Sequence, residues 1–385
     1  MPDARGPLRI ALFTGNYHHV EDGVSRTLNR LVRYLLADGH QVLIVGPTVT
    51  DPPMEHAGTL LAVPSVSIPT RPEYQFTRGF PDEAKWRMAH FQPDVVHLAT
   101  PDRLGFAALN WATHEGLPVV ASYHTHFPSY LDYYYAGVLE PLIWRLARRF
   151  YNRVAEVLVP TPSMAEVLRE HGITAPIDLW PRGVETDRFT PEARSAAWRE
   201  ARGFAPDDVV VTFVSRLVKE KSLDVYAGAV KRLQASGAGV RALVVGSGPE
   251  REAMEAEMPR AVFTGHLGHG EIETAYASSD VFLFPSETET FGNVTLEAMA
   301  CGLPAVCADA VGSSSLVVHG TTGLLCPPRN VDAFAEATGR LAADPALRQR
   351  MGAAARERAL TYDWDAILAR VVERYRAAVG SRAVA

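Results

Sequence analysis

Short, mostly apolar segments recur along the whole chain, and a helical pattern follows each of them. They fall at residues 10–13, 42–45, 95–98 and 119–122 in the first half, and at 209–214, 242–245, 281–284 and 305–307 in the second. Continuous Val, Ile and Leu runs are typical of strands buried on both faces, as in a parallel sheet covered by helices. The sequence therefore predicts an α/β fold in which the strands of each sheet end at a common edge.

The chain is too long for one ordinary domain, since 385 residues and 42.0 kDa favour two. Each half begins with a strand, a loop that contains Gly or Ser, and then a helix. This pattern predicts two doubly wound, Rossmann-like domains, each binding at the carboxyl ends of its strands. A segment rich in Pro, Gly and polar residues at 180–191 predicts one domain at 1–185 and another at 186–363. The amphipathic stretch 364–380 is expected to form a helix that packs back on the first domain.

The composition is that of a soluble globular enzyme, with 47% apolar and 21% charged residues. No segment approaches the ~20 uninterrupted apolar residues of a membrane span, and the run at 8–13 is too short for a signal sequence. The net charge of −6 argues against nucleic acid as the main partner. Three cysteines without metal-type spacing suggest reduced thiols. A cytoplasmic location is therefore expected, with association with the inner face of the membrane left open.

The stretch 284–297 combines a strand end, a loop and a helix start. The apolar run ends at Phe284, and the turn that follows predicts a helix beginning near Asn293. Free N–H groups at a helix start attract phosphates, while carboxylates such as those of Glu289 and Glu297 can bind hydroxyl groups. Because a nucleotide-sugar carries both kinds of group, we interpret this stretch as its binding site. Alternatively, the carboxylates only offset the helix dipole, or they flank a glycosidic bond as in a glycosidase.

A second candidate for phosphate binding follows the strand at 209–214. Arg216 and Lys221 lie in the next loop and at the next helix start, at the same predicted sheet edge. Each charge-assisted contact to a phosphate oxygen contributes ~1.5–3 kcal/mol, and it aids catalysis if it strengthens as the leaving phosphate gains charge. The alternative is a solvated loop whose charges pair with one another. Glycosidases give no reason for this pair of cations, which favours the nucleotide-sugar interpretation.

Three further loops that follow strands hold candidate binding residues. Gly246 and Gly248 form a glycine turn where a base or ribose could approach the backbone, although an ordinary turn has the same pattern. Gly23 is expected to open the helix after a long first loop. His124 and His126 follow the strand at 119–122. They could ligate a metal, contribute a hydrogen bond near a sugar, or serve the structure alone.

These segments resemble the retaining nucleotide-sugar glycosyltransferases of the GT-B fold, in the large family numbered four. The resemblance covers nearly the whole chain, and Glu289-x7-Glu297 and the pair Arg216/Lys221 match the family's motifs. It implies two domains that face a central cleft, with sugar hydroxyls held by Glu289, the ribose by Glu297 and the diphosphate by the two cations. It also implies that other matched positions lie beside the donor, namely Gly23, His124, Phe291, Gly292 and Asn293. Among these, the resemblance implies a catalytic role for His124.

The resemblance further implies a reaction without metal or other cofactor. The only Asp-x-Asp motif, at 363–365, begins the predicted last helix, so Arg216 and Lys221 would take the place of a metal. Transfer with retention would let the leaving diphosphate assist deprotonation of the acceptor on the same face. One departure from the family pattern is Asp22, which stands where the family often has a second glycine before Gly23.

Donor and acceptor are expectations from the resemblance alone. Residues 123–130 and 179–184 are similar to those of mannosyl- and sulfoquinovosyl-diacylglycerol transferases. The favoured donor is GDP-mannose and the acceptor a lipid or glycan, with tyrosines at 130 and 133–135 as candidates for an acceptor groove. A UDP-sugar-dependent glycolipid synthase and a GT-B nucleotide-sugar epimerase are the alternatives.

Residues 144–153 predict a basic amphipathic helix. They contain four arginines and no acid, and one face combines Ile143, Leu146, Phe150 and Val154. Such a helix suits peripheral contact with anionic lipid. The alternative is a surface helix whose apolar stripe packs on the sheet.

Overall fold

The computed structural model describes residues 6–20, 22–68, 71–124 and 140–382. The chain divides into two compact units. The first holds the described residues up to Pro181 and those from Asp365 onwards, and the second holds Arg182–Trp364. The described residues from Asp365 onwards, which form most of the last helix, thus belong to the first unit.

Each unit is built on a parallel sheet. The strands of the first unit are Arg9–Phe13 (β1), Gln41–Gly46 (β2), Thr59–Ala62 (β3), Ser65–Ile68 (β4), Arg71–Thr77 (β5), Val95–Leu98 (β6), Val119–Ser122 (β7), Glu156–Val159 (β8) and Ile177–Leu179 (β9). Seven of them form a sheet in the order β3-β2-β1-β6-β7-β8-β9, and β4 and β5 form a separate antiparallel hairpin. The second unit has Val209–Val214 (β10), Val240–Val245 (β11), Val262–Gly265 (β12), Val281–Phe284 (β13), Ala305–Ala308 (β14) and Gly323–Cys326 (β15). Their order is β12-β11-β10-β13-β14-β15, so β10 and β13 are neighbours.

Helices connect the strands and cover the sheets. Those of the first unit, apart from the last helix, are Gly23–Ala37 (α1), Asp82–Phe91 (α2), Arg103–His114 (α3), Glu140–Tyr151 (α4) and Pro162–Glu170 (α5). Those of the second unit are Ala196–Glu200 (α6), Leu223–Ala235 (α7), Arg251–Glu257 (α8), Glu271–Ala277 (α9), Asn293–Ala300 (α10), Val311–Leu316 (α11), Val331–Ala343 (α12) and Pro345–Leu360 (α13). The last helix is Trp364–Arg382 (α14). None of the described helices combines the length and hydropathy that a membrane span requires.

Polar contacts fasten α14 to the sheet of the first unit. The ring of His97 on β6 is hydrogen-bonded to the Tyr375 hydroxyl on one side and to Ser122 Oγ, at 3.0 Å, on the other. Burial lowers the pKa of His97 to about 3, so the ring is neutral and can share hydrogen bonds with both hydroxyls. Arg374 donates to Glu156 on β8 at 2.9 Å. The last helix is thus part of the core of the first unit.

The predicted architecture of two Rossmann-like α/β domains is confirmed. Predicted strands coincide with β6, β7, β10 and β13, and the observed β1, β2, β11 and β14 are longer by one or two residues. Several of the remaining strands mix polar with apolar residues and so carry no continuous apolar run. The edge strand β9, for example, has three half-buried residues and no continuous apolar run. The three cysteines, Cys301, Cys307 and Cys326, are buried and unpaired.

Candidate functional site

Lys221 and Glu289 meet at the carboxyl ends of two neighbouring strands. Lys221 ends the short 3-10 turn that follows β10, and Glu289 lies in the loop after β13. Their side chains form an ion pair, and Ser286 Oγ donates to the same Glu289 oxygen at 3.2 Å. Because Lys221 is only 8% exposed, water screens the attraction less than it does at an open surface. The structure thus places a cation and a carboxylate side by side at the predicted sheet edge.

Residues that the sequence analysis did not identify fix the Glu289 loop. The Thr288 hydroxyl donates to the Glu220 carbonyl oxygen at 3.3 Å, and Ser286 Oγ lies 3.5 Å from the same oxygen, which ties the loop after β13 to the loop after β10. Gly312 packs against the same loop, and a Cβ there would lie 2.6 Å from the Glu289 carbonyl oxygen. Serine, threonine and glycine are common in turns, so the sequence alone carries no signal for these roles.

Helix α10 begins at Asn293, as predicted, and Gly292 precedes it with a left-handed φ of +99°. A side chain disfavours this conformation, which accounts for glycine at that position. Phe291 is buried and packs edge-on against Tyr362, with ring centroids 5.8 Å apart, whereas Asn293 is exposed. The first N–H groups of a helix have no intrahelical acceptor. This exposed helix start therefore offers hydrogen-bond donors to an anion.

Glu297 lies on α10 and is half-buried. Its carboxylate accepts a hydrogen bond of 3.1 Å from the hydroxyl of Tyr276, which is fully buried on α9. Burial and the neighbouring Glu297 raise the pKa of Tyr276 well above its ordinary value, so the phenol keeps its proton. This contact could not be predicted from the sequence, because a tyrosine in a short helix is usually a core residue.

Arg216 is exposed in the loop after β10, and its guanidinium has no hydrogen bond or ion pair with another described residue. Gly246 and Gly248 lie against this loop. A Cβ on Gly246 would be 1.9 Å from the Ser215 carbonyl oxygen, and one on Gly248 would be 2.2 Å from that of Leu217. The backbone that approaches these glycines is therefore that of the Arg216 loop. Contact between the two glycines and a donor stays a prediction.

Helix α1 of the first unit begins at Gly23, as predicted, and Asp22 is its N-cap. The Asp22 carboxylate accepts a hydrogen bond of 2.8 Å from the backbone N–H of Ser25. An aspartate at this position satisfies one unpaired amide and complements the positive end of the helix dipole. The capping bond gives a physical reason for Asp22 in place of a second glycine.

His124 follows β7 and is buried, with its ring packed edge-on against that of Trp180 at 4.6 Å. It lines a small cavity together with Asn16, Thr100 and Val24, the second residue of α1. His126 and the tyrosines at 130 and 133–135 lie outside the described residues. Within the described ranges, no three His, Cys, Asp or Glu side chains form a group that could hold a metal ion.

The predicted site residues are therefore divided between the units. Gly23 and His124 lie in the first unit, near one cavity. The others lie in the second unit, in or next to the loops that follow β10, β11 and β13: Arg216, Lys221, Gly246, Gly248, Glu289, Phe291, Gly292, Asn293 and Glu297. The second unit thus offers cations, a helix start and two carboxylates, which can bind phosphates and hydroxyl groups.

Both halves of the chain match family models of known proteins. Residues 22–188 match the model described as Glycosyltransferase Family 4. Residues 195–358 match the model described as Glycosyl transferases group 1. The two matches follow one another along the chain and meet close to the boundary between the compact units.

Individual relatives are similar over nearly the full chain. A GDP-mannose-dependent alpha-mannosyltransferase of Mycobacterium tuberculosis is 34% identical over 383 residues, which cover 97% of this chain and 98% of the relative. Sulfoquinovosyl transferase SQD2 of Arabidopsis thaliana is also 34% identical, over 97% of this chain and 74% of its own length. The structure of sucrose-phosphate synthase from Thermosynechococcus elongatus is similar with a TM-score of 0.80 and 22% identity, over 97% of this chain and 100% of that one. This last likeness concerns the fold alone.

Proposed function

Because this chain belongs to glycosyltransferase family 4, and is therefore a glycosyltransferase with the GT-B fold, we propose that it transfers mannose from GDP-mannose to a lipid or glycan acceptor. The donor is supported by the 34% identity to a GDP-mannose-dependent alpha-mannosyltransferase over almost the whole of both chains. A lipid or a glycan as acceptor is the expectation drawn from the sequence.

The observation that carries this proposal is the Lys221–Glu289 pair beside the start of α10. In the proposed complex the diphosphate binds to Lys221, Arg216 and the first N–H groups of α10. Glu289 accepts hydrogen bonds from sugar hydroxyls, and Glu297 accepts them from the ribose. A cation and a carboxylate in direct contact can thus bind the phosphate and the sugar that one sugar–phosphate bond joins.

The reaction is proposed to proceed with retention and without a metal ion. As the sugar–phosphate bond breaks, negative charge grows on the leaving diphosphate, and Arg216, Lys221 and the start of α10 stabilise it. This is the charge that a divalent cation neutralises in other transferases. An oxygen of the leaving phosphate takes the proton from the acceptor hydroxyl on the same face of the sugar, which keeps the anomeric configuration.

GDP and GDP-mannose should raise the Tm more than the UDP and ADP counterparts do in a thermal-shift panel. A ligand at ~100 times its Kd stabilises by about 2.7 kcal/mol, which corresponds to a shift of several degrees. Mass spectrometry of the products should then detect mannose transfer from GDP-mannose, and EDTA should leave the rate unchanged.

A larger shift with UDP-sugars would favour a UDP-sugar-dependent glycolipid synthase instead. That second candidate is supported by the equal identity, 34%, to a transferase whose name gives another sugar, sulfoquinovose. No shift with any nucleotide would contradict a nucleotide-sugar site on this chain. Loss of transfer in EDTA would contradict the role given to Arg216 and Lys221 in place of a metal.

Contact with an anionic membrane through α4 is the second part of the proposal. This helix has an exposed face formed by Leu142, Arg145, Leu146 and Arg149, which lie three or four residues apart. The two leucines are 50% and 46% exposed, and the described residues include no acidic partner for either arginine. Phe150 and Val154 are buried, so these two residues of the apolar face expected from the sequence pack inward. Leu146, which was expected on the same face, is exposed instead. Apolar and basic side chains on one exposed face suit a surface of anionic lipid.

The double variant R145E/R149E should bind vesicles of phosphatidylglycerol and phosphatidylcholine at least about tenfold more weakly, because each arginine near an anionic surface contributes about 1 kcal/mol. Co-sedimentation with vesicles measures this binding. R340E/R350E is the matched control, since it makes the same change in charge at exposed positions of the second unit. Equal binding by the two variants, or binding that does not need anionic lipid, would exclude this face of α4 as the membrane contact.

A further inference from the structure

Tyr276 is a fully buried residue near the end of α9, and its only polar group contacts a carboxylate of the candidate site. The hydroxyl donates to Glu297 Oε2 at 3.1 Å. The ring packs against Phe189 and Phe282, with centroids 6.0 and 6.1 Å away. Aromatic neighbours on a buried ring leave the phenol little freedom, so its hydroxyl is a fixed donor.

The helix that carries Tyr276 is itself anchored. Glu273, one turn earlier, is buried and accepts from Arg188 Nε at 3.0 Å, and its other oxygen accepts from the backbone N–H of Gly270. These bonds fix α9 at its N-terminal end. The position of the phenol is therefore set by the core of the second unit and not by α10, on which Glu297 lies.

A carboxylate can accept about four hydrogen bonds, two at each oxygen. The Tyr276 hydroxyl uses one acceptor site of Glu297 and thereby restricts rotation of the carboxylate about its last torsion. We propose that Tyr276 is a positioning residue, which orients Glu297 toward the ribose hydroxyls of the donor and so sets the preference for ribonucleotide over deoxyribonucleotide sugars. This inference rests on the proposed function, which assigns Glu297 to the ribose.

The test is the variant Y276F, which removes the hydroxyl and keeps the ring. Its KM for the ribonucleotide donor should rise about five- to twentyfold while kcat changes less than about twofold, because the lost contact orients a binding group. With a donor analogue that lacks both ribose hydroxyls, the wild type should already bind weakly. The same substitution should then change KM by less than about twofold.

Tyr226 provides the matched control. It is also fully buried in the second unit, but its hydroxyl donates to the backbone carbonyl of Val211 at 2.9 Å and lies 3.3 Å from that of Leu243. Y226F should therefore lower the Tm as Y276F does, without changing the ratio of KM values for the two donors. If Y276F does not fold, 3,5-difluorotyrosine at position 276 keeps the shape and strengthens the donor. It should change KM for the ribonucleotide donor alone, by at least about twofold.

The outcomes separate the inference from the function on which it rests. If the wild type uses both donors equally well, Glu297 does not bind the ribose, and that assignment fails together with the inference. If the wild type discriminates but Y276F raises KM equally for both donors, Tyr276 is only a packing residue and the inference alone fails. An effect of Y276F confined to the ribonucleotide donor supports it.

Discussion

Replacing Lys221 by alanine should lower kcat/KM at least tenfold while the protein keeps its fold. Lys221 is 8% exposed and its ammonium is already in contact with Glu289, so in the proposed complex it binds the diphosphate in a partly desolvated position. A charge-assisted contact of this kind contributes ~1.5–3 kcal/mol, which corresponds to a factor of about 10–150. If the contact strengthens as the bond to the leaving group breaks, the loss appears in kcat as well as in KM. Steady-state kinetics with the donor chosen by the thermal-shift panel measures both constants.

Lys219 provides the control, since it lies two residues earlier in the same turn and is exposed. K219A removes the same charge from the same loop, and its kcat/KM should stay within about twofold of the wild type. Circular dichroism and thermal melts should show both variants folded. An unchanged kcat/KM in folded K221A would remove Lys221 from the site. Equal losses in the two variants would point to the overall charge of the loop.

The strands that could be predicted from the sequence are those whose own residues are mostly apolar. All four residues of β13 are buried and apolar, so the sequence carries the whole signal. Strand β8 is equally buried but begins with Glu156, a residue that disfavours a buried strand. Its carboxylate is accommodated by Arg374, which lies 218 residues away on α14. No local pattern could reveal a partner at that distance, and the strand was missed for this reason.

The same distinction applies to the candidate site. Glu289 and Lys221 could be predicted at one sheet edge, because each follows a recognisable strand. The residues that hold the site in place could not be predicted, since their contacts depend on tertiary packing. Tyr276 contacts Glu297 from another helix. The need for glycine at position 312 is evident only from the backbone of the Glu289 loop, which lies against it. Residue types in the sequence thus indicated which ligand groups the site can bind, while the contacts that hold the site residues in place were visible only in the structure.

Replacing Gly246 by alanine should lower the Tm by about 6–12 °C, corresponding to a cost of roughly 3 kcal/mol in a domain of this size. Its φ of +131° is one that side chains rarely adopt, and a Cβ would lie 1.9 Å from the Ser215 carbonyl oxygen. Because the obstacle is backbone, no rotamer change can relieve the contact, and the loop after β10 must move. That loop carries Arg216, so G246A should also lower kcat/KM even at temperatures where the protein is folded. Calorimetry and steady-state kinetics measure the two effects.

Gly239 offers a matched control in the same unit, because no described residue other than its chain neighbours comes within 4 Å of its Cβ position and its φ is not left-handed. G239A should therefore change the Tm by less than about 2 °C and leave kcat/KM unaltered. A G246A protein as stable as G239A would show that the loops after β10 and β11 do not pack as described. A G246A protein that is less stable but fully active would keep the packing and remove the link to Arg216. Only the combined loss of stability and activity supports the view that the glycine acts by placing the phosphate-binding loop.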